Sequence, residues 1–186
     1  MIESISMFYE SDNNEISDGK DGCCFFTGHR DIPLELRGKV TSLVKSNISY
    51  LYSNGVREFH TGGALGFDTL AAAVVIDMKR YSDGMTLILD LPYPNQSEKW
   101  QDSEKRIYEF IKQNADKINY VSKEPVYTYD DAKKFLLARN RKMADCCSYC
   151  IAYYSGNQRS GTGYTVNYAK AKGLEIINIF EKGAKQ

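Results

Sequence analysis

"VREFHTGGALGFDTLAAAVVIDMKRYS", Val56 to Ser82, contains the unit from which the rest of the chain is built. Its first part, "VREFHTGG" (56–63), reads as a short strand that runs into two glycines. Its second part, "LGFDTLAAAVVIDMKRYS" (65–82), reads as a strong helix with an alanine-rich centre. A strand, a glycine turn and a helix in that order raise a question about the rest of the chain. If the pattern recurs, it specifies a parallel sheet, because parallel neighbours need a long crossover and a helix supplies one.

It recurs on both sides. Upstream, "CCFFTG" (23–28) is a continuous apolar strand. It precedes a helix over 34–55 whose apolar positions Leu36, Val40, Leu43, Val44, Ile48 and Leu51 repeat at close to 3.6 residues. Downstream come a strand over 85–94, an amphipathic helix over 97–116 with Ser97 as its candidate cap, and a short strand over 117–122. A helix over 130–147, the strand "YCIAYY" (149–154), a helix over 161–173 and the strand "LEIINIF" (174–180) complete the series. The expectation is one α/β, Rossmann-like domain over 22–186, with a parallel sheet of about six strands and helices on both faces. Residues 1–21, rich in Asp, Asn, Ser and Glu, read as a flexible extension.

Composition narrows the function classes. Lys+Arg and Asp+Glu balance at 24 each, so the basic footprint of a protein that tracks nucleic acid is missing and such a partner is not expected. No run of eighteen apolar residues and no signal peptide is present, which leads to the expectation of a cytosolic protein without a membrane partner. The five cysteines are Cys23, Cys24, Cys146, Cys147 and Cys150. Cys147 and Cys150 have C-x-x-C spacing, but Cys150 lies within an apolar strand and not at a strand-to-helix turn. Reduced, buried thiols are the favoured reading, and no metal or cofactor is expected.

Right-handed crossovers bring every strand-to-helix turn to one edge of such a sheet, where ligands bind. The first turn, "TGHRDIP" (27–33), offers Gly28 for close approach and His29 and Arg30 as ligand contacts, Arg30 being suited to a phosphate. The alternative is a solvated loop. The second, "HTGGALGFD" (60–68), opens the strong helix with backbone N–H groups of Gly62, Gly63 and Ala64, an anion cradle. Asp68 in its first helical turn either complements the dipole or binds a ribose hydroxyl. The third, "LPYPNQSEKW" (91–100), is stiffened by Pro92 and Pro94; Trp100 reads as a core anchor of its helix rather than a stacking platform. The fourth, "GNQRSGTGYTVNYAKAKG" (156–173), has Gly156 and Gly161 spaced as in a P-loop but no lysine after them. Ser160, Gly161, Thr162 and Gly163 remain as an anion-binding helix start. Arg139 and Arg141, on the helix before the fifth strand, read as solvated by default.

The motifs "FFTGHR", "TGGALGFDTLAA", "LPYPNQSEKW", "ARNRKMAD" and "IAYYSGNQRSGTGYTVNYAKAKG", in this order over about residues 22–180, resemble the SLOG superfamily (the SMF/DprA and Lonely Guy group), most closely its YpsA-like branch. The resemblance implies a Rossmann-like fold, a nucleotide-type ligand and a homodimer or larger homo-oligomer. Relatives that look like phosphoribohydrolases carry a P-G-G-x-G-T-x-x-E turn and an arginine on the preceding helix. Alignment on Gly163 puts Asn167 at the glutamate position and Tyr164 at that of the threonine, while Arg139 falls at the arginine position. An amide cannot act as a general base or oppose an oxocarbenium charge. DprA-like relatives bind single-stranded DNA, and their likeness here lies mostly in "GGALGFD".

The expected ligand set is Gly28, His29, Arg30, Gly62, Gly63, Ala64, Asp68, Pro92, Arg139, Asn140, Ser160, Gly161, Thr162, Gly163, Thr165 and Asn167. The expected function is binding of a nucleoside monophosphate or ADP-ribose-like ligand without hydrolysis. One alternative is a nucleoside-monophosphate N-glycosidase using Asp68 and Arg139 as catalytic residues. Another is a stress, cell-division or phage-conflict protein that senses or sequesters nucleotide signals.

Overall fold

In the computed structural model, which describes residues 22–180, the elements alternate without exception. They are β1 (Cys23–Gly28), α1 (Leu34–Ser53), β2 (Glu58–Thr61), α2 (Phe67–Lys79), β3 (Thr86–Leu91), α3 (Asp102–Asn114), β4 (Lys117–Tyr120), α4 (Tyr129–Cys146), β5 (Tyr149–Tyr153), α5 (Gly161–Ala171) and β6 (Glu175–Asn178). The extension expected over residues 1–21 lies outside the described residues.

All five strand pairings are parallel, in the order β4-β3-β2-β1-β5-β6. The chain walks outward from β1 to β4, then α4 carries it back across the sheet to place β5 on the free side of β1. That reversal makes the β1–β5 boundary the topological switch point. Because each outward crossover is right-handed, α1, α2 and α3 share one face, and the return puts α4 and α5 on the other.

The side-chain alternation of β1 divides the core accordingly. Cys24 and Phe26 join the layer under α1, α2 and α3, with Phe59, Phe67, Leu87, Leu89, Tyr108 and Ile151. Cys23 and Phe25 join the layer under α4 and α5, with Met143, Ala144, Cys147, Val166 and Ala169. Phe26 stacks on Phe59 at 6.2 Å between ring centroids and meets Phe67 edge-on at 6.5 Å. Full burial of each such ring contributes about 2–3 kcal/mol.

The sequence-based boundaries need one correction of substance. α3 starts at Asp102, not at Ser97, because residues before it form a turn in which the Trp100 N–H bonds the Ser97 carbonyl. Gln101 is the cap, and the Glu104 carboxylate accepts its N–H at 2.9 Å. Among the described residues no helix is long and apolar enough to cross a membrane.

Candidate functional site

The turn between β2 and α2 is built around two glycines with different duties. Gly66, the residue capping α2, has φ of 88°, and a Cβ there would lie 2.0 Å from the Arg30 carbonyl oxygen. Only glycine adopts that conformation cheaply in so little space. Gly62 instead leaves room for a side chain from the other face of the sheet. A Cβ at Gly62 would lie 1.0 Å from Nη1 of Arg139. The α4 arginine therefore rests its guanidinium directly on the Gly62 backbone, and it is 3% exposed.

Asp68, in the first turn of α2, faces this guanidinium with Oδ2 3.7 Å from Nη1 and accepts a long hydrogen bond from the Ala64 N–H. Burial raises the Asp68 carboxyl to about 6, against the downward pull of Arg139 and the backbone N–H groups of Ala64 and Gly62. The same burial lowers Arg139, which Asp68 and Asp90 oppose. The sequence left open whether Asp68 complements a helix dipole or reaches a ligand. It is buried against an arginine, so surface dipole complementation is not its setting.

Around the same turn stand groups with unmet hydrogen-bonding capacity. Gln96 donates to the Gly63 carbonyl at 3.1 Å, leaving its Oε1 buried without a partner. Tyr108 approaches Gly63 from α3, crossed edge-to-face by Trp100 at 5.1 Å, and its hydroxyl is also buried without a partner. Arg139 Nε and Nη1 are in the same condition. Among the described residues five buried side-chain polar atoms lack a partner, and these are four of them. Each such atom costs about 1–3 kcal/mol while unsatisfied, and native proteins rarely leave several together.

The remaining expected residues divide. Pro92 is buried at the end of β3 and accepts the Ser122 N–H through its carbonyl at 2.9 Å. Gly28 makes room for a side chain, since a Cβ there would sit 2.5 Å from Phe67. His29 spans the switch point: its Nε2 accepts the Ser155 N–H at 2.9 Å, and burial lowers its pKa, so it stays a neutral acceptor. Arg30 is exposed and lines an outer groove of about 550 Å³ with Arg37, Leu70 and Ile107. Asn140 and Thr165 bond each other at 2.7 Å, joining α4 to α5. Ser160 caps α5, and Gly163 is pressed against the Asn157 carbonyl, which a Cβ would approach to 2.4 Å. Thr162 is buried, whereas Gly161 and Asn167 are exposed. Arg141 donates to the Tyr164 hydroxyl on the surface.

Thus Gly62, Gly63, Ala64, Asp68 and Arg139 form one cluster. Gln96 and Tyr108 belong to it although sequence reasoning passed them over. Gln96 lies in a proline-stiffened turn at the strand ends, which is a signal in the sequence; Tyr108 is one aromatic on an amphipathic helix and carries none.

A parallel sheet in this order, with a buried arginine over a glycine turn at the strand ends, defines a Rossmann-like protein with a polar crevice. The chain belongs to the YspA SLOG family, whose sequence profile (YpsA) matches residues 24–178. It is 27% identical over 143 residues to a UPF0398 protein of Bacillus thuringiensis strain Al Hakam, covering 77% of this chain and 71% of that one. A UPF0398 protein of Bacillus cereus strain B4264 is 30% identical over 116 residues, 62% of this chain and 60% of that one. Among solved structures, DNA processing protein A from Helicobacter pylori, studied for its mode of binding single-stranded DNA, has a similar fold, with a TM-score of 0.59 at 18% identity. The match covers 84% of this chain and 64% of that protein's.

Proposed function

We propose that the chain binds a nucleotide or nucleotide-derived ligand, a nucleoside monophosphate or an ADP-ribose-like molecule, at the carboxyl-end turns of the sheet, without hydrolysing it. The observation that carries this reading is Arg139: a buried guanidinium whose Nε and Nη1 make no hydrogen bond, paired only at 3.7 Å with Asp68 and laid on the Gly62 backbone beside the N-terminus of α2. A guanidinium with N–H donors left over suits an anionic phosphate oxygen, and the helix start adds a favourable field. Gln96 Oε1 and the Tyr108 hydroxyl supply further contacts for sugar or base. Non-hydrolysis rests on the exposed amide of Asn167 where the phosphoribohydrolase-like relatives have a glutamate.

The test is to incubate the protein with AMP, GMP, CMP, UMP, NAD, ADP-ribose and a short single-stranded oligonucleotide, then desalt and analyse by mass spectrometry. One mononucleotide or ADP-ribose-like compound retained intact is expected. Arg139→Met should weaken its binding roughly 100-fold, the loss of about 3 kcal/mol that follows removal of a buried charge-assisted contact. Retention of the oligonucleotide alone would replace the proposal with a DNA-binding function.

Asp68 favours a second reading. A carboxyl titrating at about 6 beside an arginine in a crevice is suited to proton transfer near neutral pH. An N-glycosidase using it would release free base and sugar phosphate from one compound of the panel, and Asp68→Asn would abolish the release.

A further inference from the structure

At the opposite, N-terminal edge of the sheet a second polar cluster lies under α4. Cys23 opens β1, and in register with it on β2 stands Glu58; two residues further along the same face is His60. Cys146 ends α4 and Cys147 follows it, just before β5. The return of α4 across the sheet brings them together: Cys23 Sγ is 2.8 Å from Cys147 Sγ, and Cys146 Sγ is 3.9 Å from Cys147 Sγ. The three sulfurs and one His60 ring nitrogen all lie within 4.8 Å of one another. Cys150, the partner suggested by C-x-x-C spacing, is buried in β5 and is not a member of this cluster.

His60 is the informative member. Its Nδ1 meets Asp90 Oδ2 at 2.7 Å, and Asp90 Oδ1 accepts from Asn119 at 3.0 Å with Lys142 at 3.5 Å. Its Nε2 is buried and has no hydrogen-bond partner; Glu58 stands 3.6 Å away. With Nδ1 committed to a carboxylate, Nε2 is the nitrogen left to ligate a metal, once any proton on it is given up. The buried ring, with no hydrogen bond at Nε2, thus stands among three thiols.

We propose that Cys23, Cys146, Cys147 and His60 Nε2 bind one zinc ion as a closed, structural Cys3His site. Zinc bonds thiolate at about 2.3 Å and imidazole at about 2.0–2.1 Å, so tetrahedral ligand atoms stand about 3.7 Å apart. The Cys146–Cys147 separation is already close to that spacing, the Cys23–Cys147 approach has to widen, and no ligand pair is more than 4.8 Å apart. Thiolate and imidazole donors together select zinc over hard cations. Binding displaces the thiol protons, and any proton held on Nε2, to solvent. Cys146 lies at the surface, giving the ion a way in. Four protein ligands leave no open position for a substrate, so the role is to join β1, β2 and the end of α4.

The test uses the full chain, purified with a reductant and without chelator. Metal content by plasma mass spectrometry should be one zinc per chain. Replacement by Co2+ should give thiolate-to-cobalt charge-transfer bands and the strong visible bands of a tetrahedral site, saturating at one equivalent. Cys147→Ser and His60→Gln should lose the ion, and Cys150→Ser should keep it. Asp90→Asn, which leaves all four ligands in place, should weaken zinc affinity by roughly 10–100-fold in competition with a chelator. The proposal is overturned if the wild type binds no Co2+ with these bands. It is equally overturned if Cys147→Ser keeps them, or if the native state is a Cys23–Cys147 disulfide by peptide mass.

Discussion

Two glycine-rich turns open helices at the same edge of the sheet, and they differ in what they leave unsatisfied. At the start of α5, Ser160 Oγ accepts the Gly163 N–H at 2.9 Å and donates to the Asn157 carbonyl at 2.7 Å, so the cap closes on itself. The start of α2 has no side-chain cap, and unpartnered atoms of Arg139, Gln96 and Tyr108 surround the turn before it. Glycine density is equal evidence of tight packing and of ligand contact. Unmet hydrogen-bonding capacity separates them, and it points to α2.

The sharpest way to break this contrast is a matched pair of alanines. Gly62→Ala puts a Cβ inside the Arg139 guanidinium and should abolish retention of the nucleotide ligand in the desalting experiment. Gly161→Ala meets nothing within 4 Å; it should leave retention intact and raise stability by up to about 1 kcal/mol in urea unfolding. Equal effects of the two would end the distinction.

Next in size is a pH effect confined to the α2 turn. Asp68 titrates at about 6 in the folded chain against an ordinary value near 4, so the folded state holds its proton more tightly than the unfolded one. Its contribution to stability is therefore greatest below pH 4 and is lost as pH rises from about 4 to about 6. The stability of the wild type relative to Asp68→Asn should fall by about 3 kcal/mol across that window in paired urea titrations. A flat difference would mean that Arg139 and the Ala64 and Gly62 N–H groups offset the desolvation of Asp68 in full.

Smallest is the loss expected at α5. Ser160→Ala removes the cap and should cost about 1 kcal/mol, a Tm about 3 °C lower, with ligand affinity unchanged. A large fall in affinity would make the α5 turn part of the site after all.

The sheet and its helices were legible because strand and helix periods alternate cleanly and glycines mark the turns. Arg139 was legible only through the family resemblance, since its spacing on α4 alone reads as a solvated surface residue. Gly28 illustrates a limit: the sequence shows that something must come close, but Phe67 is 39 positions away and only the fold identifies it. The same limit hid the thiol cluster. Local spacing paired Cys147 with Cys150, whereas the return of α4 pairs it with Cys23, 124 residues distant.

That return has a consequence for how the chain can fold during synthesis. The β2 partner of β1 follows it closely in sequence, but the partner of its other edge, Cys24 to Gly28, is β5, from Tyr149 to Tyr153. Until β5 has been made, β1, apolar along its length, has no partner for that edge. The closing step joins segments far apart in sequence, so loop-closure entropy makes it late and slow. The strand that is best protected in the finished molecule is thus the one most exposed to aggregation while it is being made.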